Sequence, residues 1–307
     1  MTGTTQAETG RRLSAADAIR FVRDNPLIPL IAILLLLVLI LEQIRPGIVG
    51  ERWIANTVKF AIPLAILAAA QTLTMLTGGI DLSVGFVATM VAFFMASLVP
   101  QMDPILAIPL ALVPAILAGL ASGIGVGFFR VHPLIMTLAV GLVVQGFLLI
   151  YQRSMLGSDL EIPEVLAWLG TKRSFGIPNS LLVFVPLAAI IIFGLRRSGY
   201  GRLLYALGDN EGAARLSGVR RSYVMVVLYV ISATLAGIGG LVYIGLIKVA
   251  ALDLADDLLL PSVAAAVVGG TSMFGGRGGY AGTIVGALIL GVLGTIMTAT
   301  QVPEGAR

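Results

Sequence analysis

The sequence contains no cysteine and a single histidine, His132. Disulfide bonds and thiolate metal sites are therefore excluded, and one imidazole cannot form a histidine cluster. No G-x-x-x-x-G-K-[ST] phosphate loop occurs, so the chain is not expected to hydrolyse ATP itself. We therefore expect no metal and no cofactor in this chain, and we do not expect an enzyme.

Charge is also scarce, since Asp, Glu, Lys and Arg make up 12% of the 307 residues. Hydrophobic residues make up 58%, and the mean hydropathy is +1.00. Apolar runs long enough to cross a bilayer recur from Leu27 to Thr300. A run of about 20 apolar residues spans the hydrocarbon core, where the backbone must form helices to satisfy its own polar groups. The sequence therefore predicts an all-α, polytopic bundle of membrane-spanning helices.

The pattern predicts nine spans. They are expected near 27–42, 57–77, 82–100, 104–128, 133–151, 179–195, 222–247, 258–273 and 280–300. The third is separated from the second only by a short glycine-containing segment, and the eighth is short and ends in glycine. Either of these two could be a re-entrant or discontinuous helix.

The net charge of +4 could suggest a nucleic acid partner, but membrane topology explains it better. With the N-terminus inside, twelve of the 20 Lys and Arg residues fall on the cytoplasmic side, as the positive-inside rule requires. We therefore predict a cytoplasmic N-terminal tail at 1–26, a single transmembrane domain at 27–307, and no nucleic acid partner.

The segment Gly78–Gly85, with the sequence GGIDLSVG, carries the first candidate site. Its glycines, Gly78 and Gly79, can end the second span, and Asp81 or Ser83 can cap the next helix. A carboxylate at the bilayer centre costs about 2.5–3.5 kcal/mol, so Asp81 is expected near an interface, against protein or in a water-filled cavity. Two interpretations stay open, a helix N-cap and a role in gating or in the transport path.

The segment 196–221 is the most polar stretch after the N-terminus. Asp209 or Asn210 can cap a short helix there, Glu211 favours its first turn, and Gly218 can end it.

The two alanines of this short helix, Ala213 and Ala214, give it a face without large side chains. Such a face suits a helix that inserts into a groove on another protein. The alternative is an ordinary surface loop whose arginines follow the positive-inside rule.

Polar residues inside the predicted spans are candidates for lining a transport path. They are Gln71, Thr72, Thr74, Gln145, Tyr229, Ser232 and Thr234. Such residues also bond neighbouring helices to one another. Small residues at intervals of four, at Gly119, Gly123 and Gly127, predict close packing of helix backbones.

Three segments resemble the signatures of ribose-type sugar permeases, the membrane subunits of bacterial ATP-binding-cassette importers. They are LTGGIDLSVG (Leu76–Gly85), YALGDNEGAARLSGV (Tyr205–Val219) and the glycine-rich Ala265–Leu293. His132–Tyr151 is similar to a middle span more loosely. The resemblance covers roughly residues 53–295.

The resemblance implies that 208–218 is a coupling helix that docks on the ATPase, and that 78–85 is a structural turn close to the transport path. The coupling residues are then Gly208, Asp209, Asn210, Glu211, Ala213, Ala214 and Gly218. The turn residues are Gly78, Gly79, Asp81, Ser83 and Gly85. From the polar residues inside the spans, and independently of the resemblance, we select Gln71, Thr74 and Gln145 as the candidates for lining the path.

The implied partners are ATPase subunits that bind the ATP, a second permease copy or homologue, and a periplasmic or lipid-anchored sugar-binding protein. The implied location is the bacterial inner membrane. Family members usually continue into one more span, so a tenth span is expected to be missing and the C-terminus to lie outside. A branched-chain amino acid permease and a self-contained carrier or channel remain the alternatives.

Overall fold

The computed structural model describes residues 26–155 and 159–301, and within them it contains twelve α-helices and one short hairpin. The helices are α1 (Leu27–Ile44), α2 (Glu51–Met75), α3 (Val84–Leu98), α4 (Pro104–Gly127), α5 (Pro133–Ser154), α6 (Glu164–Thr171), α7 (Leu181–Arg197), α8 (Gly199–Asp209), α9 (Glu211–Leu216), α10 (Arg221–Ile247), α11 (Asp256–Val268) and α12 (Tyr280–Ala299). The antiparallel strands β1 (Arg173–Ser174) and β2 (Ile177–Pro178) lie between α6 and α7. Apart from Pro26, the tail predicted at 1–26 falls outside the described residues, as does the C-terminus after Gln301.

Each of the nine predicted spans coincides with a helix, but the helices differ in length. Six of those described are long and apolar enough to cross a membrane, namely α1, α2, α4, α5, α10 and α12. The pair α7 and α8 passes the same test only when taken together, and it is bent by 66°. With 15 and 13 residues, α3 and α11 fall short of the roughly 20 that a crossing needs. The all-α polytopic bundle is therefore confirmed, whereas the count of nine crossings is not.

The two short helices begin inside the bundle. The segment before α3 contains Asp81, which is 1% exposed, and the segment before α11 ends at Ala255, which is 0% exposed. The N–H of Ala255 donates to Oγ1 of Thr89 in α3 at 3.0 Å, so the starts of the two helices meet. Non-helical backbone in a membrane protein is tolerated only when protein or water surrounds it. Both the re-entrant and the discontinuous form that the sequence allowed are compatible with this arrangement.

The central helix is α10, which packs against α2, α3, α4 and α6. Its contact with α4 depends on the glycines that the sequence places four residues apart. A Cβ at Gly123 would lie 2.6 Å from the Cα of Val226, and one at Gly127 would lie 2.8 Å from the carbonyl oxygen of Ser222. No larger residue fits at this distance. The prediction that these glycines serve helix packing is confirmed.

Several connecting segments meet at one end of the bundle. We call this end, formed by 76–83, 127–133, 198–221 and 269–279, the signature face. The N–H of Gly276 donates to the carbonyl oxygen of Leu76 at 2.9 Å, which joins the first and last of these segments. The hairpin and α6 lie toward the opposite end, where the N–H of Glu161 donates to the carbonyl oxygen of Ala96 near the end of α3.

Candidate functional site

The helix α9 is short and capped, and it lies on the signature face. Its N-cap is Asn210, whose Oδ1 accepts a hydrogen bond from the N–H of Ala213 at 2.9 Å. Glu211 occupies the first turn, where a carboxylate is favourable beside the positive end of the helix dipole. After the helix, Gly218 has a φ of +86°, which residues with a side chain rarely adopt. The predicted start and end of this helix are confirmed, with Asn210 rather than Asp209 as its cap.

The exposed surface of α9 contains small residues and one large apolar side chain. Gly212, Ala213 and Arg215 are exposed, and Leu216 is 88% exposed. Ala214, in contrast, is only 6% exposed. Residues three apart on a helix share a face, so Ala213 and Leu216 lie together on the accessible side. Of the two alanines expected to meet a partner, only Ala213 is accessible, whereas Ala214 packs against the rest of the chain.

Arg221, the first residue of α10, connects α9 with the C-terminal end of α4. Its Nε lies 3.1 Å from Oε2 of Glu211. The Nε–H does not point along a hydrogen bond, so this contact is an ion pair. Its Nη1 donates to the carbonyl oxygens of Val126 at 2.8 Å and Gly127 at 3.3 Å. The last carbonyls of a helix lack intrahelical partners and attract a cation.

Sequence reasoning did not single out Arg221. The only signal was its position, a basic residue soon after a short helix that begins with an acidic one. Its contact with α4 joins residues that are 94 and 95 positions apart in the chain, and no local pattern reports such a contact.

The three signature segments meet at Leu76, Gly208 and Gly276. A Cβ on Gly208 would overlap the carbonyl oxygen of Leu76 and would lie 2.5 Å from the backbone nitrogen of Gly276. Gly276 itself has a φ of +71°. Gly208 was assigned by resemblance to the docking residues, but the structure places it in the contact between segments. Any side chain there would push α8 away from the end of α2.

The carboxylate of Asp81 holds the segment 76–83 against α10. Its Oδ1 accepts hydrogen bonds from both the N–H and the Oγ–H of Ser83. Its Oδ2 accepts one from Oγ of Ser232 in α10 at 2.7 Å. Ser83 stands at the N-cap position of α3 but makes no side-chain capping bond. The prediction that Asp81 or Ser83 caps this helix is therefore wrong, because their side chains bond to each other and to α10.

The glycines of this segment shape the turn that the resemblance implied. Gly78 has a φ of +78° just after the end of α2. Gly79 packs beside Pro133 at the start of α5, and Gly85 packs beside Ala255 before α11.

Two of the three candidates for lining a transport path have structural partners. Nε2 of Gln71 donates to the carbonyl oxygen of Asp81 at 2.8 Å, and Oε1 of Gln71 accepts from the N–H of Asp81 at 3.2 Å. Oγ1 of Thr74 donates to backbone carbonyls of its own helix. Both residues are 0% exposed, whereas Gln145 on α5 is half-buried. In this conformation the side chains of Gln71 and Thr74 are hydrogen-bonded to the backbone, and Gln145 is the most accessible of the three.

Comparison with known proteins identifies the family of this chain and several related sequences. The family described as "Branched-chain amino acid transport system / permease component" matches residues 53–306. The chain is 31% identical over 296 residues to "Ribose import permease protein RbsC" of Escherichia coli (strain K12), covering 94% of this chain and 89% of that protein. The RbsC protein of Bacillus subtilis (strain 168) is 31% identical over 261 residues, which cover 85% of this chain and 81% of the relative.

A relative named for another sugar has the same percentage identity over a somewhat shorter range. "Fructose import permease protein FrcC" of Rhizobium meliloti is 31% identical over 273 residues, covering 84% of this chain and 75% of FrcC. No solved structure was found to match the chain.

These matches confirm the resemblance to ribose-type sugar permeases that the signature segments indicated. With six apolar helices of spanning length among the described residues, the chain is a multi-pass membrane protein. It belongs to the family described as branched-chain amino acid transport system / permease component.

Proposed function

We propose that this chain is the membrane-spanning permease subunit of an ATP-binding-cassette importer for a simple sugar, located in the bacterial inner membrane. A separate ATPase subunit binds and hydrolyses the ATP, a solute-binding protein delivers the sugar, and a second permease copy or homologue completes the path. Relatives named for ribose and fructose import support a sugar over a branched-chain amino acid. The sequence supports a separate ATPase, because the chain has no phosphate loop.

The observation that carries the proposal is how α9 is built and anchored. It is capped at both ends and exposes Leu216 among small residues, as a helix that docks on a partner requires. Behind this surface, Arg221 and Gly208 connect the same segment to the ends of α4 and α2. A partner that moves α9 therefore acts on the membrane-spanning helices directly.

The mechanism that we propose is alternating access. ATP binding closes the ATPase dimer and displaces α9. Through Arg221 the displacement reaches α4 and α10, and through the contact of Gly208 with Leu76 and Gly276 it reaches α2 and the start of α12. Closely packed helices are hardly compressible, so a displacement at one end moves each helix as a rigid unit.

The orientation that we propose places the signature face and the N-terminus in the cytoplasm. The segment 196–221 contains six arginines, which supports this side under the positive-inside rule. The short helices α3 and α11, extended by the segments 76–83 and 248–255, then complete nine crossings.

Docking of the ATPase can be tested by changing the exposed apolar residue of α9. We expect Leu216→Asp to abolish co-purification of an ATP-hydrolysing partner from membranes, because a charge replaces the apolar contact. Phe175→Asp is the matched control, since Phe175 is 103% exposed in the hairpin toward the opposite end. Recovery of the ATPase by Leu216→Asp at the wild-type level would contradict the proposed docking surface.

The substrate and the energy source are tested together in vesicles that contain the purified subunits. We expect uptake of a labelled pentose or hexose that requires both ATP and the ATPase. Uptake of leucine instead would favour the branched-chain amino acid alternative. Uptake without the ATPase would favour a self-contained carrier.

A further inference from the structure

A cavity of about 320 Å³ opens on the signature face beside the segments described above. It lies between the N-terminal end of α1, the C-terminal end of α7, α8 and the glycine-rich segment before α12. Four apolar side chains form one part of its wall, namely Leu27, Leu30, Ile192 and Leu195. Since α1 begins and α7 ends here, the cavity lies at the level where helices leave the hydrocarbon and lipid headgroups begin.

Two arginines, Arg196 and Arg277, line the same cavity, and among the residues that the structure describes none of those that line it is acidic. Within the part of the chain that the structure describes, neither arginine forms an ion pair. They come from different elements, the end of α7 and the segment before α12, which are far apart in the sequence. The fold therefore brings two positive charges to one apolar-walled opening.

The first turn of α12 also borders this opening. Its N-cap, Gly279, has no side chain that could cap the helix, and Tyr280, Ala281 and Gly282 all line the cavity. The first N–H groups of a helix have no intrahelical acceptor and favour an anion. Oη of Tyr205 donates to the carbonyl oxygen of Gly278 at 2.9 Å, which fixes this turn against α8.

We propose that this cavity is a binding site for the phosphate headgroup of an anionic phospholipid. Arg196 and Arg277 neutralise the phosphate, and the start of an acyl chain lies along the apolar wall that includes Leu30. Basic pockets between membrane helices bind anionic headgroups in this way. A soluble phosphate compound shares the headgroup chemistry but would leave the apolar wall uncovered, so the lipid fits better. This binding does not depend on the transport function proposed above.

The test uses the full chain purified in a neutral detergent, with lipid binding measured by native mass spectrometry. Phosphatidylglycerol is compared with phosphatidylcholine on the wild type and on the double variant Arg196→Gln/Arg277→Gln. We expect selective binding of phosphatidylglycerol by the wild type and binding about 30-fold weaker in the double variant. The matched control is Arg197→Gln/Arg202→Gln, which removes the same charge from exposed arginines that do not line the cavity.

Three further results decide the proposal. Arg196→Lys/Arg277→Lys keeps the charge and should retain most of the binding, while thermal unfolding of every variant checks that it is folded. Equal loss in the cavity variant and the control, or no preference for phosphatidylglycerol, would overturn the site. Displacement of the lipid by equimolar glycerol phosphate would assign the site to a soluble phosphate compound instead.

Discussion

Two ionisable residues, the buried Asp81 and the half-buried Arg221, play different structural roles in this protein. The hydrogen bonds of Asp81 reach Ser83 next to it and Ser232 in α10, so they fix one turn in place. Arg221 instead contacts Glu211 in α9 and two carbonyl oxygens in α4. The first residue stabilises a segment, and the second connects segments that a partner is proposed to move.

At this scale we predict that Arg221→Gln separates docking from transport. Hydrogen bonds to a charged group contribute about 1.5–3 kcal/mol, and their loss frees α9 from the end of α4. ATPase subunits should still co-purify, because the exposed face of α9 is unchanged, while sugar uptake per ATP hydrolysed should fall about tenfold. The measurement is paired uptake and ATP hydrolysis in reconstituted vesicles.

The neighbouring exposed arginine provides the control for this prediction. Arg220→Gln removes the same charge from an exposed side chain that makes no hydrogen bond or ion pair with the described residues of α4, and it should leave the ratio of uptake to hydrolysis unchanged. Wild-type coupling in the Arg221→Gln variant would show that the contact with α4 is not needed.

Among the elements, the pair formed by α4 and α10 is the closest to a rigid unit. Their backbones approach along three glycines of α4, and nothing but hydrogen fits between them. In lipid, where apolar burial gives helices little reason to associate, such close contact supplies the van der Waals energy.

We predict that a single methyl group disrupts this pair. Gly123→Ala places a Cβ 2.6 Å from the Cα of Val226, which is backbone and cannot rotate away. Overpacking of this kind costs about 1–3 kcal/mol, so the midpoint of thermal unfolding in detergent should fall. Gly146→Ala on α5 is the control, since no atom of the described residues lies within 4 Å of its Cβ position. The control should unfold at the wild-type temperature or slightly higher, because alanine favours a helix. Equal midpoints for the two variants would argue against the glycine contact.

For the whole molecule, the proposed function depends on the arrangement of the two ends. The signature face and the hairpin lie toward opposite ends of the bundle, and the proposed orientation places them on opposite sides of the membrane. The natural absence of cysteine makes this directly testable, because a single introduced thiol is then the only one.

We predict that Ala213→Cys is labelled by a membrane-impermeant thiol reagent only in inside-out vesicles. Phe175→Cys should be labelled only in right-side-out vesicles, since both positions are exposed but lie toward opposite ends. The readout is the fraction of protein labelled in each kind of vesicle. Labelling of both positions from one side would contradict the proposed orientation.

Local features of the sequence were sufficient to locate the long apolar helices and the two ends of α9, but not α6 or the hairpin. The length of the apolar runs determines where helices form, because a backbone in lipid has no other way to satisfy its polar groups. The cap at Asn210, the end at Gly218 and the glycine spacing of α4 also follow from local chemistry. Each of these depends on residues within a few positions of one another.

Only the tertiary structure decided how those elements are used. It showed that Ala214 is buried while Leu216 is exposed, and that Ser83 bonds to Asp81 rather than capping α3. It also brought Leu76, Gly208 and Gly276 together from three distant parts of the chain. The sequence alone determined a polytopic helical protein with a capped polar helix. The contacts through which that helix is proposed to move the membrane-spanning helices depend on which helices pack together. Packing between residues that are far apart in the chain leaves no local sequence pattern.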